Sequence, residues 1–290
     1  MGEVFLQLLL SGIILGSIYG LIGIGFSVFH SSTGAINFAQ GEFVVLGSFL
    51  AITLASSGLP GPAAILLAAL LLSLAAGLVF FVFLKKLADE PVYLVVATVA
   101  LSLILRTLAL YFWGREPLGL PSLFKNKAVV LRTVLISYDQ LIVFATGILF
   151  YFLLLFLFRK TSTGKAIRAV VEDRELAKTS GLNPAAYQSL TFSLAAFLGA
   201  AAGGVLSPIS MLSYHSGGLL GLKGFAAAVI SGFEKPESAF AGGIILGIIE
   251  SLSVFFFPSG FKDLVAVLVL LAVLTFKPEG LLMKGGRRRV

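Results

Sequence analysis

Apolar runs long enough to cross a lipid bilayer recur along almost the whole chain, and they constrain its fold more than any other feature. They cover about residues 4–29, 36–57, 62–84, 92–114, 140–158, 189–213, 219–233, 238–257 and 261–277. A helix needs about 20 residues to cross about 30 Å of hydrocarbon, and inside it the backbone must satisfy its own hydrogen bonds. Most of these runs meet that length, while 219–233 is short and is expected to be either a crossing or a re-entrant element. With 58% hydrophobic and 12% charged residues in 290, the composition fits one membrane-embedded domain over 1–290 better than two soluble ones. The expected fold is all-α, a polytopic transmembrane helical bundle of eight or nine membrane segments. The first run begins at Val4 with no basic residue before it and no small-residue cleavage motif near its end, so it reads as a retained span.

The formal net charge of +7 is placed by the positive-inside rule rather than by nucleic acid, which is not an expected partner. Lys85, Lys86, the basic residues of 159–188, Lys235, and the tail with Lys277, Lys284, Arg287, Arg288 and Arg289 all fall on one side if 219–233 crosses. That arrangement puts 14 of the 21 basic residues in the cytoplasm, the N-terminus outside and the C-terminus inside. The expected location is a cytoplasmic (inner) membrane. The segment 115–139 is then external; its Pro117, Gly119 and Pro121 suggest a turn-rich loop, although it carries Arg115, Lys125, Lys127 and Arg132.

The one long polar island, Arg159 to Gln188, must lie outside the bilayer. Arg168, Glu172, Glu175 and Lys178 are spaced to share one face of a short helix, expected over about 166–178. Gly181 and Asn183-Pro184 then read as helix-stop and turn residues. Within the runs, Gly12, Gly16 and Gly20, then Gly199 and Gly203, then Gly243 and Gly247 repeat at four-residue spacing, which allows membrane helices to touch backbone to backbone. The stretches Gly34–Gly47 and Gly217–Gly232 are alike in design, each a glycine-rich entry into a short apolar helix, as in paired interrupted helices of transporters.

Chemistry-bearing residues are few. With no cysteine, disulfides and thiolate metal sites are out of reach, and His30 and His215 lack ligand partners at helical spacing, so no metal site is expected. Neither a G-x-x-x-x-G-K-[ST] phosphate loop nor a G-x-S-x-G elbow is present; the chain should not bind ATP itself, and no catalytic residue or cofactor is assigned. Polar residues inside spans are costly and therefore informative. Asn37, Gln40, Gly41 and Glu42 either expose backbone groups to a cavity or cap the start of the second span. Glu250, deeper in its run, is either a structural carboxyl, protonated or helix-paired, or a substrate contact. Arg106 can snorkel toward the surface, and Phe255–Phe257 are read as lipid-facing or packed apolar surface.

Glu175, Ala177 and Gly181 form an E-x-A-x-x-x-G pattern that resembles the coupling loop of ABC importer permeases. The stretches GSIYGLIGIGFSVFHSSTGAINFAQGEFVVLGSFLA, TGKAIRAVVEDRELAKTSGLN, GLKGFAAAVISGF and AGGIILGIIESL, in that order, resemble the permease family of branched-chain amino acid ABC importers, most of all its LivH-type membrane subunit. The family often has histidine where this chain has Gln40, which leaves any imidazole role there unsupported. The resemblance implies import of branched-chain amino acids or related small solutes, powered by ATP hydrolysis in partner subunits. It also implies ATP-binding subunits, a second related permease forming a heterodimer or else a second copy, and an external solute-binding protein. On this reading Gly164, Lys165, Arg168, Glu172, Asp173, Arg174, Glu175, Ala177, Gly181 and Asn183 couple to the ATPase, while Asn37, Gln40, Gly41, Glu42 and Glu250 line the substrate pathway. The rival reading is an ion-coupled secondary transporter, for which Glu42 and Glu250 are the acidic groups inside spans.

Overall fold

The computed structural model of the protein describes residues 2–125, 127–131, 134–233 and 235–282. Arg132, Lys284 and the Arg287–Arg289 triplet used in the charge argument lie outside the described residues. In chain order come α1 (Gly2–Thr33), α2 (Gln40–Ser56), α3 (Gly61–Val79, extended by a π-helical turn over Phe80–Leu84) and α4 (Pro91–Trp113). Two strands follow, β1 (Ala128–Leu131) and β2 (Val134–Ser137). Then come α5 (Tyr138–Lys160), α6 (Ser162–Glu172), α7 (Arg174–Thr179), α8 (Pro184–Leu206), α9 (Ser216–Ser231), α10 (Ser238–Leu252) and α11 (Lys262–Phe276). Every apolar run folds as a helix. Among the described residues six helices are fit to cross a membrane by length and composition; α2, α9 and α11, of 17, 16 and 15 residues, are shorter.

The all-α expectation needs one correction. The segment 115–139 is not merely turns: β1 and β2 pair antiparallel, with Val129 opposite Ile136. Its β-branched and aliphatic residues favour an extended chain there. Gln7 of α1 brackets β2, its side chain bonding both the N–H and the carbonyl of Leu135 at 3.2 Å. Leu118 exchanges backbone bonds with Leu212 at 2.8 Å, so this segment, the start of α1 and the α8–α9 connection gather at one end of the bundle. The opposite end collects the polar island: Arg159 pairs with Glu237 at 3.0 Å, and Arg174 with Asp89.

The bundle has an inner and an outer layer. Buried residues make up 67% and 72% of the apolar windows of α1 and α8, against 17% and 22% in α4 and α5. The glycine stripes explain the inner layer. Those of α1 and α10 meet each other: a β-carbon at Gly16 would stand 2.7 Å from the Gly243 carbonyl oxygen, and one at Gly12 2.8 Å from that of Gly247. Without side chains the two backbones touch, and many small dispersion contacts replace the hydrophobic drive that lipid cannot supply. The third stripe serves α2, since Gly203 abuts Val44 and Gly199 abuts Phe43. Phe29, Phe43 and Phe80 close around Phe192 at centroid distances of 5.2 to 5.5 Å, tying α1, α2 and the π-helical turn to α8. Phe255–Phe257, by contrast, are exposed.

Candidate functional site

Between α1 and α2 the chain loses helical structure while still buried. Gly34 turns the backbone at φ +68, and residues 35–39 run irregularly into the bundle. Buried irregular backbone must find partners. The Asn37 side-chain oxygen accepts from the Ala39 N–H at 3.0 Å, and the Thr98 hydroxyl of α4 accepts from the Phe38 N–H at 3.1 Å. The Asn37 amide donates to the Gln40 side chain at 3.4 Å, and the Gln40 amide donates to the Ala195 carbonyl at 2.9 Å. Asn37 and Gln40 are thus engaged in holding this break. Neither caps α2 through a side-chain bond: the Asn37 amide turns to Gln40 at the start of α2, and the Gln40 amide to α8.

The break starts α2 inside the bundle, with Gln40, Gly41 and Glu42 all buried in its first turn. There α2 meets the first turn of α9. Gly41 abuts the Gly217 carbonyl and Gly221, so the two short helices, each entered through glycines, pack against one another there. The Glu42 carboxylate lies over Gly217, where a β-carbon would stand 2.6 Å from Oε2. Its Oε1 accepts from the Ser102 hydroxyl at 3.4 Å, while Oε2 is buried without a protein partner. Arg106, one turn along α4 from Ser102, lies over the Tyr214 ring at 5.9 Å and supplies an opposing charge to Glu42. A cavity of about 240 Å³ adjoins this point, walled by Phe26, Phe38, Val99 and Ser102 on one side and by Gly221 and Phe225 on the other.

Glu250 is paired with a side chain of a neighbouring helix. Lys223 Nζ of α9 donates to Glu250 Oε1 at 2.9 Å, to Asp263 Oδ1 at 2.7 Å and to the Tyr19 hydroxyl at 3.3 Å. Lys223 and Glu250 are 6% and 4% exposed, so this is a buried pair linking α9 to α10, with α1 and α11 contributing the other two groups. Above it opens a cleft of about 460 Å³ at the end of the bundle that carries the β-hairpin. Sequence reasoning missed Lys223, Tyr19 and Asp263. The signal was present: a lone lysine in GLKGF and a lone glutamate in another apolar run each require a partner.

At the other end, the polar island is two helices rather than one. Asp173 is extended (φ −152, ψ 104), and its carboxylate caps α7 by accepting from the Leu176 N–H at 2.9 Å. The single helix face expected for Arg168, Glu172, Glu175 and Lys178 is therefore broken, because an aspartate that can cap favours a new helix start over continuation. Glu175 and Lys178 remain together at 2.6 Å. Gly181, at φ +82, closes α7 with the Leu182 N–H bonded to the Ala177 carbonyl, the glycine-ended stop that was expected. Asn183 and Pro184, however, start α8 rather than end a helix, with Asn183 accepting from the Ala186 N–H at 3.4 Å. Gly164 lets α6 fold back against Phe158. Arg168 donates to the Phe158 carbonyl at 2.6 Å and Arg174 to that of Ala88 at 2.9 Å, anchoring the pair of helices. Ile167, Val170 and Ala177 face inward; Lys165, Glu172 and two apolar side chains, Val171 (46% exposed) and Leu176 (64% exposed), face outward.

A helical bundle with a buried break, carboxylates inside apolar helices and an anchored polar helix pair at one end has the architecture of a multi-pass membrane permease. Comparison with known proteins narrows the class. Residues 8–274 match the model of the family "Branched-chain amino acid transport system / permease component", and the chain belongs to that family. It is 31% identical to the high-affinity branched-chain amino acid transport system permease protein BraD of Pseudomonas aeruginosa, over 96% of this chain and 95% of that one. It is 29% identical to LivH of Escherichia coli, with the same coverage, and 27% identical to the probable LivH of Methanocaldococcus jannaschii over 95% and 92%. No solved structure matches the chain.

Proposed function

We propose that this chain is the permease subunit of an ATP-driven importer that carries branched-chain amino acids across a prokaryotic cytoplasmic membrane. Its family membership over 8–274 supports the permease role and the substrate class. The energy source lies in partners: ATP-binding subunits on the cytoplasmic face, beside a second permease and an external solute-binding protein. All nine apolar helices cross, α2 and α9 included, with the N-terminus outside and the polar island inside.

One observation carries the coupling role. Val171 and Leu176 stand exposed amid Lys165, Glu172 and Glu175 on helices that are otherwise anchored to the bundle. Exposed apolar anchors ringed by charge are how partner-docking surfaces are built. Force on α6 and α7 passes into the bundle through the Arg168 bond to Phe158 at the end of α5 and the Arg174 pair with Asp89 at the α3–α4 connection. Packed elements of this kind move between discrete states rather than deforming smoothly. The substrate path runs past Glu42 and Glu250, with Asn37, Gln40 and Gly41 keeping the broken start of α2 in place. Leu176→Glu tests the surface: ATP hydrolysis stimulated by loaded binding protein should fall at least tenfold in the assembled complex. Unchanged stimulation would remove Leu176 from the coupling surface.

A further inference from the structure

The Lys223 cluster holds more charge than helix packing needs. One lysine faces two carboxylates, and its three N–H groups are all taken by Glu250, Asp263 and Tyr19. Glu250 Oε2 is left buried without a protein partner, on a side chain that is 5% exposed and lines the cleft. Lys223, Glu250 and Asp263 together carry one surplus negative charge. Lys262 lines the same cleft and makes no ion pair among the described residues, so a positive charge stands near the surplus negative one. The remaining wall mixes aliphatic side chains, Leu15 and Ile18 of α1, Leu206 of α8 and Leu220 of α9, with the polar Ser210, His215 and Ser216. The volume of about 460 Å³ lies within the roughly 300–1,000 Å³ range of small-molecule sites.

We propose that this cleft is an outward-facing binding site for a zwitterionic aliphatic amino acid, an assignment that rests on the transport reading above. The α-ammonium group donates to Glu250 Oε2 and to the Asp263 carboxylate, the α-carboxylate accepts from Lys262, and the aliphatic side chain lies on Leu15, Ile18, Leu206 and Leu220. A buried carboxylate oxygen without a partner is costly, and an arriving ammonium relieves it. Tyr19 and Lys223 are positioning residues that hold Glu250 in place.

The chain has no cysteine, so Leu219→Cys, at the mouth of the cleft and 39% exposed, supplies a single reporter thiol. Its labelling by a membrane-impermeant maleimide is followed by mass spectrometry on this chain, in the complete complex and without ATP. Saturating L-leucine should slow labelling at least threefold. 3-Methylbutylamine, which lacks the carboxylate, and 4-methylpentanoate, which lacks the ammonium group, should each slow it far less at the same concentration. Glu250→Gln in the same background should abolish the protection by leucine. Labelling unaffected by leucine, or slowed equally by 4-methylpentanoate, overturns the site; these two results come from native Glu250 and stand even if Glu250→Gln fails to assemble. Failure of the native complex to take up any branched-chain amino acid would instead sink the transport reading, so the two failures are separable.

Discussion

Lys223 is the side chain on which most depends at the residue scale. Removing one partner of a buried charge cluster leaves the others uncompensated, at a cost of about 3–5 kcal/mol. Lys223→Met strands Glu250 and Asp263 and should sharply lower the thermal midpoint of the protein in detergent. Adding Glu250→Leu removes the stranded buried charge and should recover most of the loss; no recovery would show that Glu250 is stabilised by something other than Lys223. Glu250 was legible from its depth in an apolar run, and so was its need for a partner. Which residue answered that need depends on how α9 and α10 pack, and spacing along the chain does not encode it. Glu42 was legible in the same way, whereas its lodging over Gly217 follows from a helix–helix contact between distant segments.

Elements divide by how local their causes are. The glycine stripes announced close helix packing, and the structure pairs the α1 stripe with that of α10. Hydropathy found each apolar helix because burial in lipid imposes a long continuous signal. The ends were harder: Asn183-Pro184 serves equally to stop one helix or start another, and here it starts α8. The polar island shows the same limit. Its charge spacing suits a single helix, yet Asp173 can cap, and the cap wins. Asp173→Ala should cost about 1 kcal/mol at the start of α7. Hydrogen exchange of the Leu176 and Ala177 amides should quicken while α6 stays protected; equal protection in both proteins would mean that packing of Ala177, not the cap, holds α7.

On the scale of the whole molecule, the nine crossings proposed above would assign each loop to a side of the membrane. The hairpin, the α8–α9 connection and residues 253–261 share one end, and residues 85–90, the polar island and residues 277–282 share the other. Because the chain lacks cysteine, single thiols map this directly. Phe256→Cys should react with an impermeant maleimide from outside intact cells, and Thr179→Cys only after the membrane is opened. Thr179→Cys reacting from outside would invert the arrangement and remove the polar island from the reach of any cytoplasmic partner.

The most direct measurement of the central claim is uptake of labelled leucine into proteoliposomes. The chain is reconstituted with its companion permease, the ATP-binding subunits and the solute-binding protein. Accumulation should require ATP on the side of the nucleotide-binding subunits and should be absent for the chain alone under a proton or sodium gradient. Uptake by the chain alone, driven by such a gradient and indifferent to ATP, would contradict the account and establish an ion-coupled transporter instead.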